Sequence, residues 1–161
     1  MATIRPATVD DCDTLASLIR ELAVYEKLEN EAKATAADLR RDLFGERVYA
    51  EALIAEMGDQ AVGFALFFSN YSTFKGRPGL YLEDLFVKPD YRGQGLGTRL
   101  LARIARLAVE RGCGQFEWVV LDWNEPSIGF YRSLGARPMN EWTVFRLDDS
   151  ALTELANRDI S

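Results

Sequence analysis

The segment that most constrains the fold runs from Leu80 to Arg111. It begins with LYLEDLFV, an apolar stretch that predicts a buried strand, and continues through the glycine-rich loop DYRGQGLGTRL. From Leu96 onward, apolar residues recur at helical spacing, which predicts a helix with one buried face that ends near Gly112. A strand that enters a helix through such a loop leaves free backbone N–H groups at the positive end of the helix dipole. The loop therefore predicts an anion site.

Three phosphate-binding patterns can be compared with this loop. A Walker loop requires a lysine followed by serine or threonine, and GLGTR has no lysine. A dinucleotide fingerprint requires a third glycine where Thr98 stands, and it belongs at the first strand–helix turn of its fold. The third pattern, Arg/Gln-x-x-Gly-x-Gly/Ala, is matched by Arg92, Gly95 and Gly97. Taken alone, the loop leaves open a tight turn that only packs the helix against the strand.

The rest of the chain alternates predicted strands and helices. TIRPA predicts a strand, and Thr8 with Asp11 forms a capping-box-like start to a long helix. A second helix ends at Gly45, and two strands, VYAEALIAEM and AVGFALFFSN, are joined by a hairpin turn. After the loop YSTFKGRPG and the glycine-loop helix come a strand in QFEWVVLDW, a short helix with Asn124 as its cap, a strand in EWTVFRL and a closing helix in SALTELAN. This order predicts a single α/β domain over residues 1–161.

The amino-acid composition indicates which partners the protein binds and in which compartment it works. The formal net charge is −6, which disfavours nucleic acid and anionic membranes because both reward a basic surface. The first residues lack the profile of a signal peptide, and no apolar run reaches the length of a membrane span. The two cysteines, Cys12 and Cys113, lie far apart in the chain. We therefore expect a cytoplasmic protein whose partners include neither nucleic acid nor a membrane.

The chain contains no histidine. This excludes Ser-His-Asp and Cys-His catalysis and argues against a zinc site, so we expect no metal. Acid–base chemistry at neutral pH then falls to carboxylates, tyrosine, lysine, cysteine or water. Cys113, in ERGCGQ, has no base or orienting partner nearby in sequence, and an incidental thiol is the better interpretation.

Longer stretches around the loop identify a family. YLEDLFVKPDYRGQGLGTRLL and WVVLDWNEPSIGFYRSLGA, together with IRPAT, LIRELAVYEKLE and VGFALFFSNYSTFKG, resemble the diamine (spermidine/spermine) N-acetyltransferases and their thialysine-acetylating relatives. These form one branch of the GNAT superfamily. The resemblance covers almost the whole chain. It implies an α/β (α+β) acyl-CoA N-acyltransferase fold with a mixed central sheet of about six to seven strands flanked by helices. It also implies acetyl-CoA as co-substrate and a homodimer with the active site near the interface.

The resemblance implies a role for the residues that match the family's donor site. Backbone groups of the strand would bind the pantetheine arm and polarise the thioester carbonyl, and the loop would hold the pyrophosphate. The donor-binding residues predicted in this way are Leu85, Phe86, Val87, Arg92, Gly93, Gln94, Gly95, Leu96, Gly97, Thr98, Asn124 and Tyr131.

Tyr131 matches the family's general acid toward the CoA sulfur. A phenol suits this role because its pKa of about 10 lies above that of a thiol. The alternative is a core aromatic, for which the neighbouring Phe130 is the better candidate because adjacent helix residues point in different directions.

Glu83 matches a family residue thought to act as a base through water, although a role limited to binding a cationic substrate stays open. In a regular strand Asp84 points to the opposite face, so only one of the two carboxylates faces the pocket unless a bulge breaks the alternation. Tyr25 and Glu26 match positions that line the amine site, and for Glu26 a solvated helix face is the alternative. The predicted substrate-binding residues are thus Tyr25, Glu26, Glu83 and Asp84.

These roles predict acetyl transfer from acetyl-CoA to a primary amine of a small diamine, polyamine or lysine-like molecule, by direct attack in a ternary complex. Polyamine-specific members carry an aspartate and a tryptophan where this chain has Ser72 and Phe74. The loss of that acid removes a partner for a second ammonium and favours a lysine-like substrate. The alternatives are a protein lysine or N-terminal acetyltransferase and a non-catalytic acyl-CoA-binding module.

Overall fold

The computed structural model describes residues 1–159, which divide into two compact units, residues 1–119 and residues 120–159. The first unit contains the strands β1 (Ala2–Pro6), β2 (Glu51–Met57), β3 (Gln60–Ser72), β4 (Arg77–Val87) and β5 (Phe116–Trp118) and the helices α1 (Cys12–Tyr25), α2 (Ala36–Phe44) and α3 (Leu96–Glu110). The second unit contains α4 (Glu125–Ser133) and α5 (Asp149–Ala156). A single domain over the whole chain stays a prediction.

The five strands form one sheet in the order β1-β2-β3-β4-β5. The first four pair antiparallel, and β5 pairs parallel to β4, so the sheet is mixed and the predicted α/β class is confirmed. The prediction of six to seven strands is wrong for the described chain, which has five. QFEWVVLDW contributes only Phe116–Trp118, and EWTVFRL, residues 141–147, forms no strand. An alternating apolar pattern does not suffice for a strand, because its backbone also needs a pairing partner.

β4 contains a bulge at the predicted base. Leu66 of β3 lies opposite Asp84, and the next residue, Phe67, lies opposite Leu82. Glu83 is therefore an extra residue on β4 that has no counterpart in β3. A bulge of this kind interrupts the regular alternation of side chains and increases the local twist.

The strands on either side of β4, β3 and β5, pair with different lengths of it. β3 pairs with β4 as far as Val87, whereas the parallel pairing with β5 covers only Leu80, Tyr81 and Leu82. From Glu83 to Val87 the side of β4 that faces β5 has no strand partner among residues 1–159. This open stretch leads directly into the glycine loop.

The core fixes the ends of the elements that meet at this loop. On α1, Leu15, Leu18 and Leu22 are buried against the sheet, in a cluster that includes Phe64 and Phe86. The predicted buried face of α3 is confirmed, with Leu96, Leu100, Leu101, Ile104 and Ala108 all buried. Since each fully buried leucine contributes roughly 1.5–3 kcal/mol, this packing holds the start of α3 close to the sheet.

The predicted capping box at the start of the first helix is confirmed and extended by an arginine. The backbone N–H of Thr8 donates to Asp11 Oδ2 at 2.7 Å. Arg5 donates to both carboxylate oxygens of Asp11, at 2.8 and 2.9 Å, and its Nε donates to Glu56 at 2.7 Å. These bonds join β1, the helix start and β2. The Arg5 guanidinium lowers the pKa of Asp11 to about 2.

Candidate functional site

The glycine loop has the backbone conformation that its sequence requires. Gly93 and Gly95 have φ angles of 77° and 81°, in the left-handed region that costs other residues roughly 1–2 kcal/mol. Gly95 is the N-cap of α3, where no side chain caps the helix and the first turn contains no acidic residue. The amides of the first helical turn precede the first i→i−4 bond of the helix, so they are available to an anion.

The loop is also open where an anion would approach. A Cβ added at Gly93 or Gly95 would meet no heavy atom within 4 Å. Gln94 and Thr98 are exposed, whereas the side chain of Leu96 is buried in the core, so that only its backbone can contact a ligand. The predicted pyrophosphate residues therefore form one solvent-accessible loop whose N–H groups and positive helix dipole suit an anion.

Arg92 makes contacts that the sequence did not predict. Its Nε donates to the backbone oxygen of Val87 at 2.8 Å. Its guanidinium carbon lies 4.7 Å from the centre of the Tyr25 ring and 5.6 Å from that of the Phe86 ring. The structure thus brings together a predicted donor-site residue, Arg92, and a predicted amine-site residue, Tyr25. The contact has no signal in the sequence, because no local pattern connects the end of a helix with a loop so far along the chain.

The open stretch of β4 supplies backbone groups rather than side chains. Phe86 is buried in the core and pairs with Phe64 of β3, so its side chain is unavailable to a ligand. Leu85 and Val87 are half-buried. Because β5 ends opposite Leu82, the polar backbone groups on that side of β4 can hydrogen-bond an extended ligand, as an added strand would.

Three carboxylates interact electrostatically at the bulge of β4. Burial, followed by the negative charges of Glu83 and Glu26, raises the pKa of Asp84 to about 7. Glu26, the residue after α1, is half-buried, and burial also raises its pKa. The bulge foreseen as an exception is present, and Asp84 interacts electrostatically with the two other predicted substrate-binding acids, while the face that each carboxylate occupies stays a prediction. Glu83 itself is exposed.

The second unit contains the remaining predicted residues, Asn124 and Tyr131. Asn124 is buried and is the N-cap of α4, as the sequence predicts, with its Oδ1 accepting from the backbone N–H of Ser127 at 3.4 Å. Tyr131 lies on α4 and is half-buried, with its ring centre 5.5 Å from that of Phe130. The capping role of Asn124 is confirmed, while its donor contact and the acid role of Tyr131 stay predictions.

Other features of the described chain lie outside this site. No group of three or more histidine, cysteine, aspartate or glutamate residues among residues 1–159 could hold a metal ion. Over the same residues, every helix is too short or too polar to cross a bilayer. Both cysteines are free thiols. A separate cleft contains none of the predicted site residues and is lined by Asp13, Thr14, Ser17, Leu18, Glu21, Ala61 and Lys88.

Comparison with known proteins identifies the family. The profile of the Acetyltransferase (GNAT) family matches residues 16–136. A thialysine N-epsilon-acetyltransferase of Sus scrofa is 42% identical over 96% of this chain and 97% of its own length. A spermidine/spermine N(1)-acetyltransferase-like protein of Homo sapiens is 37% identical over 95% of this chain, which spans 23% of that longer protein.

The fold agrees with this assignment. An integron cassette protein from the mobile metagenome of V. cholerae superimposes with a TM-score of 0.82 and 27% identity, over 96% of this chain and 97% of the other. With the glycine loop, the open strand before it and the family match in agreement, this chain belongs to the acetyltransferase (GNAT) family and is an acetyl-CoA-dependent N-acetyltransferase.

Proposed function

We propose that this enzyme acetylates a primary amine of a small lysine-like molecule such as thialysine, with diamines and polyamines as the second candidate class. The observation that carries the proposal is the group of three interacting carboxylates, Glu26, Glu83 and Asp84, on elements that adjoin the donor loop. A cationic amine is the ligand that such a group attracts. The name of the Sus scrofa relative supports a lysine-like acceptor.

The proposed reaction is a direct transfer in a ternary complex. The neutral amine nitrogen attacks the thioester carbonyl of acetyl-CoA, so that a C–N bond forms and the C–S bond breaks. Glu83 accepts, through a water molecule, the proton that the ammonium loses. Tyr131 donates its phenolic proton to the departing thiolate, which leaves as free CoA. The backbone of Leu85 to Val87 holds the pantetheine arm, and the loop amides with Arg92 hold the pyrophosphate.

Asp84 and Glu26 have an electrostatic role in this proposal. With its pKa raised to about 7, Asp84 changes charge within the physiological range. An arriving ammonium stabilises the ionised form of Asp84 and relieves its repulsion with Glu83 and Glu26. Binding energy is therefore available to a cation and not to a neutral molecule of the same shape, which gives the site its preference for amines.

The hairpin between β3 and β4 supports a substrate with one amine at the reacting end rather than a long polyamine. Ser72 ends β3, and its Oγ accepts from the backbone N–H of Lys75 at 3.2 Å. Phe74, at the tip, is 93% exposed. The turn TFKG contains no carboxylate, so it offers no partner to a second ammonium group.

An amine screen tests the proposed function. Thialysine, lysine, ornithine, putrescine, spermidine and a basic peptide are each incubated with acetyl-CoA, and the release of free thiol is measured. We expect the largest kcat/KM with thialysine. A larger value with spermidine would assign a polyamine substrate, and a larger value with the peptide would assign a protein acetyltransferase. CoA binding without thiol release from any amine would contradict the proposal and indicate a binding module.

We also propose that the enzyme is a homodimer in the cytoplasm. The segment after α4 exposes large apolar side chains, including Trp142 at 68% and Phe145 at 93%. Such side chains stabilise a protein only when something covers them, and a second copy of the chain would do so. Light scattering should give about twice the chain mass of 18.1 kDa. The variant Phe145→Ser should shift the mass toward one chain, and a wild-type protein that stays at one chain mass contradicts the dimer.

A further inference from the structure

We infer that Arg92 and Tyr25 form a coupling contact, in which the ring of Tyr25 positions Arg92 for the donor anion and the anion-bound Arg92 positions Tyr25 in the amine site. The inference rests on the proposed function for the role of Tyr25. It concerns a positioning contact that joins the two substrate sites within the first unit.

Three contacts orient the guanidinium of Arg92 before any ligand arrives. The rings of Tyr25 and Phe86 lie 4.7 and 5.6 Å from its central carbon, and Nε donates to Val87 O at 2.8 Å. Aromatic rings attract a guanidinium through its flat face. The two rings thus contact the guanidinium around its central carbon, and one N–H donor is used by the strand.

The terminal amino groups of Arg92 are the part left for an anion. No carboxylate among residues 1–159 forms an ion pair with Arg92, in contrast to Arg5, Arg41 and Arg111. The guanidinium carries five N–H donors in a fixed plane, and phosphate oxygens bind the edge of that plane. Contact with the rings and contact with a pyrophosphate therefore use different parts of one side chain and can occur together.

The other partner of the contact is held just as firmly. Tyr25 is the last residue of α1, a helix whose inner face is buried. The helix ends in a capped turn, because the N–H of Glu26 donates to Leu22 O at 2.9 Å and that of Leu28 donates to Ala23 O at 2.8 Å. Tyr25 is also partly buried and packs against the hydrophobic core, so its ring is held at the end of α1, next in sequence to Glu26, one of the proposed amine-binding acids.

These constraints predict a thermodynamic link between the sites. An arginine that is already oriented does not have to be immobilised when the anion binds, and that immobilisation otherwise weakens affinity by about two- to tenfold. By reciprocity, donor binding must then favour the amine-binding arrangement of Tyr25 by the same factor. A tyrosine that only lines the amine site would have no influence on the affinity for CoA.

A double-mutant cycle on CoA binding tests the link without any amine present. The dissociation constant of CoA is measured by calorimetry for the wild type, Tyr25→Leu, Arg92→Gln and the double variant. Glutamine is chosen because the loop pattern accepts it at this position. We expect Tyr25→Leu to weaken CoA binding about two- to tenfold in the wild-type chain and to have no effect in the Arg92→Gln chain.

Two further variants separate the ring from other effects. Tyr25→Phe keeps the ring and should restore the wild-type affinity for CoA. Tyr49→Leu removes a matched arginine–tyrosine stack, with Arg47 at 5.0 Å, that lies in the segment before β2, and it should leave the affinity unchanged. Thermal unfolding of each variant verifies that the chain is folded.

The outcomes distinguish the inference from the proposed function. An unchanged dissociation constant of CoA in Tyr25→Leu, or an equal loss of affinity with and without Arg92, overturns the inference. The proposed function stands if the wild-type enzyme acetylates an amine. A wild-type chain that fails to bind CoA overturns the proposed donor site and the inference with it. A failure to acetylate amines, in a chain whose cycle shows coupling, overturns the proposed function and the amine-site role of Tyr25, while the link between Tyr25 and the donor anion stands.

Discussion

At the scale of single residues, Asp84 is a carboxylate of the candidate site whose charge changes near neutral pH. Because its pKa is raised to about 7 in the folded protein, Asp84 holds a proton that it releases on unfolding between about pH 4 and 7. A group with a raised pKa favours the folded state fully below about pH 4, and this contribution is lost as the pH rises through 7. The carboxylate proposed to attract the amine therefore weakens the fold near neutral pH.

The variant Asp84→Asn separates these two effects. At pH 8 we expect it to be more stable than the wild type in urea unfolding, and at pH 5 we expect the advantage to shrink, because protonated aspartic acid and asparagine are both neutral. The KM for the amine should rise, and its dependence on pH near 7 should flatten. Asp13→Asn, at the opposite end of α1 from Glu26, is the control. An advantage of equal size at both pH values would contradict this account of Asp84.

A second prediction at the residue scale concerns the proton for the thiolate. Tyr131→Phe removes only the phenolic oxygen from α4, so it should lower kcat by about a hundredfold or more and change the affinity for acetyl-CoA little. Fixed-time assays of thiol release measure kcat, and calorimetry measures the affinity for acetyl-CoA. Tyr49→Phe, an exposed tyrosine outside the proposed site, is the control. Turnover that is retained at every pH would remove Tyr131 from the mechanism.

At the scale of elements, the pairing of β3 with β4 depends on close backbone approach at Gly63. A Cβ at this position would lie 2.7 Å from the backbone oxygen of Phe86, within the stretch proposed to bind pantetheine. Gly63→Ala should therefore destabilise the protein by about 1–3 kcal/mol and raise the KM for acetyl-CoA. Gly129, inside α4, meets nothing within 4 Å, so the same change there should stabilise by about 0.5–1 kcal/mol.

Urea unfolding of the two alanine variants measures this contrast. Effects of the same sign would show that helix or strand preference, rather than the space around each glycine, decides the outcome. The kinetic effect should belong to Gly63→Ala alone, because only that change pushes against the open stretch of β4.

The elements that sequence analysis predicted well are those whose signals are local. The capping residues Thr8 and Asn124 and the buried face of α3 each follow from a pattern that spans only a few neighbouring residues. The bulge at Glu83 could be foreseen only as an exception, since it depends on the register of a neighbouring strand. The stack of Arg92 on Tyr25 depends on tertiary packing and had no local signal at all.

At the scale of the whole molecule, the missing strand has the same explanation. EWTVFRL has an alternating pattern, yet Val144 and Phe145 are exposed and residues 141–147 form no strand pairing in the described chain. A strand is completed by a partner that its own sequence does not specify. The proposed second copy of the chain would supply surface for these side chains. The oligomeric state and the number of strands therefore both depend on what this segment contacts.

Acid sensitivity is a second property of the whole molecule. Asp11, with its pKa lowered to about 2 by Arg5, stabilises the fold above about pH 4 and loses this contribution as the pH falls toward 2. We expect urea unfolding to show a loss of about 2 kcal/mol over that window from this residue. Asp11→Asn should be less stable at pH 7 and should show a shallower acid slope. Asp59→Asn, in the exposed turn between β2 and β3, should keep the wild-type slope. A slope unchanged in Asp11→Asn would contradict the assignment.

The open edge of β4 has a further consequence for the behaviour of the protein in solution. Unpaired strand edges recruit strands from other chains, and natural sheets resist this by placing like charges along the edge. The unpaired stretch that we propose to bind acetyl-CoA begins with two adjacent acids, Glu83 and Asp84. The pair proposed to attract the amine should thus also limit self-association of the ligand-free enzyme, and neutralising both acids should lower solubility as well as activity.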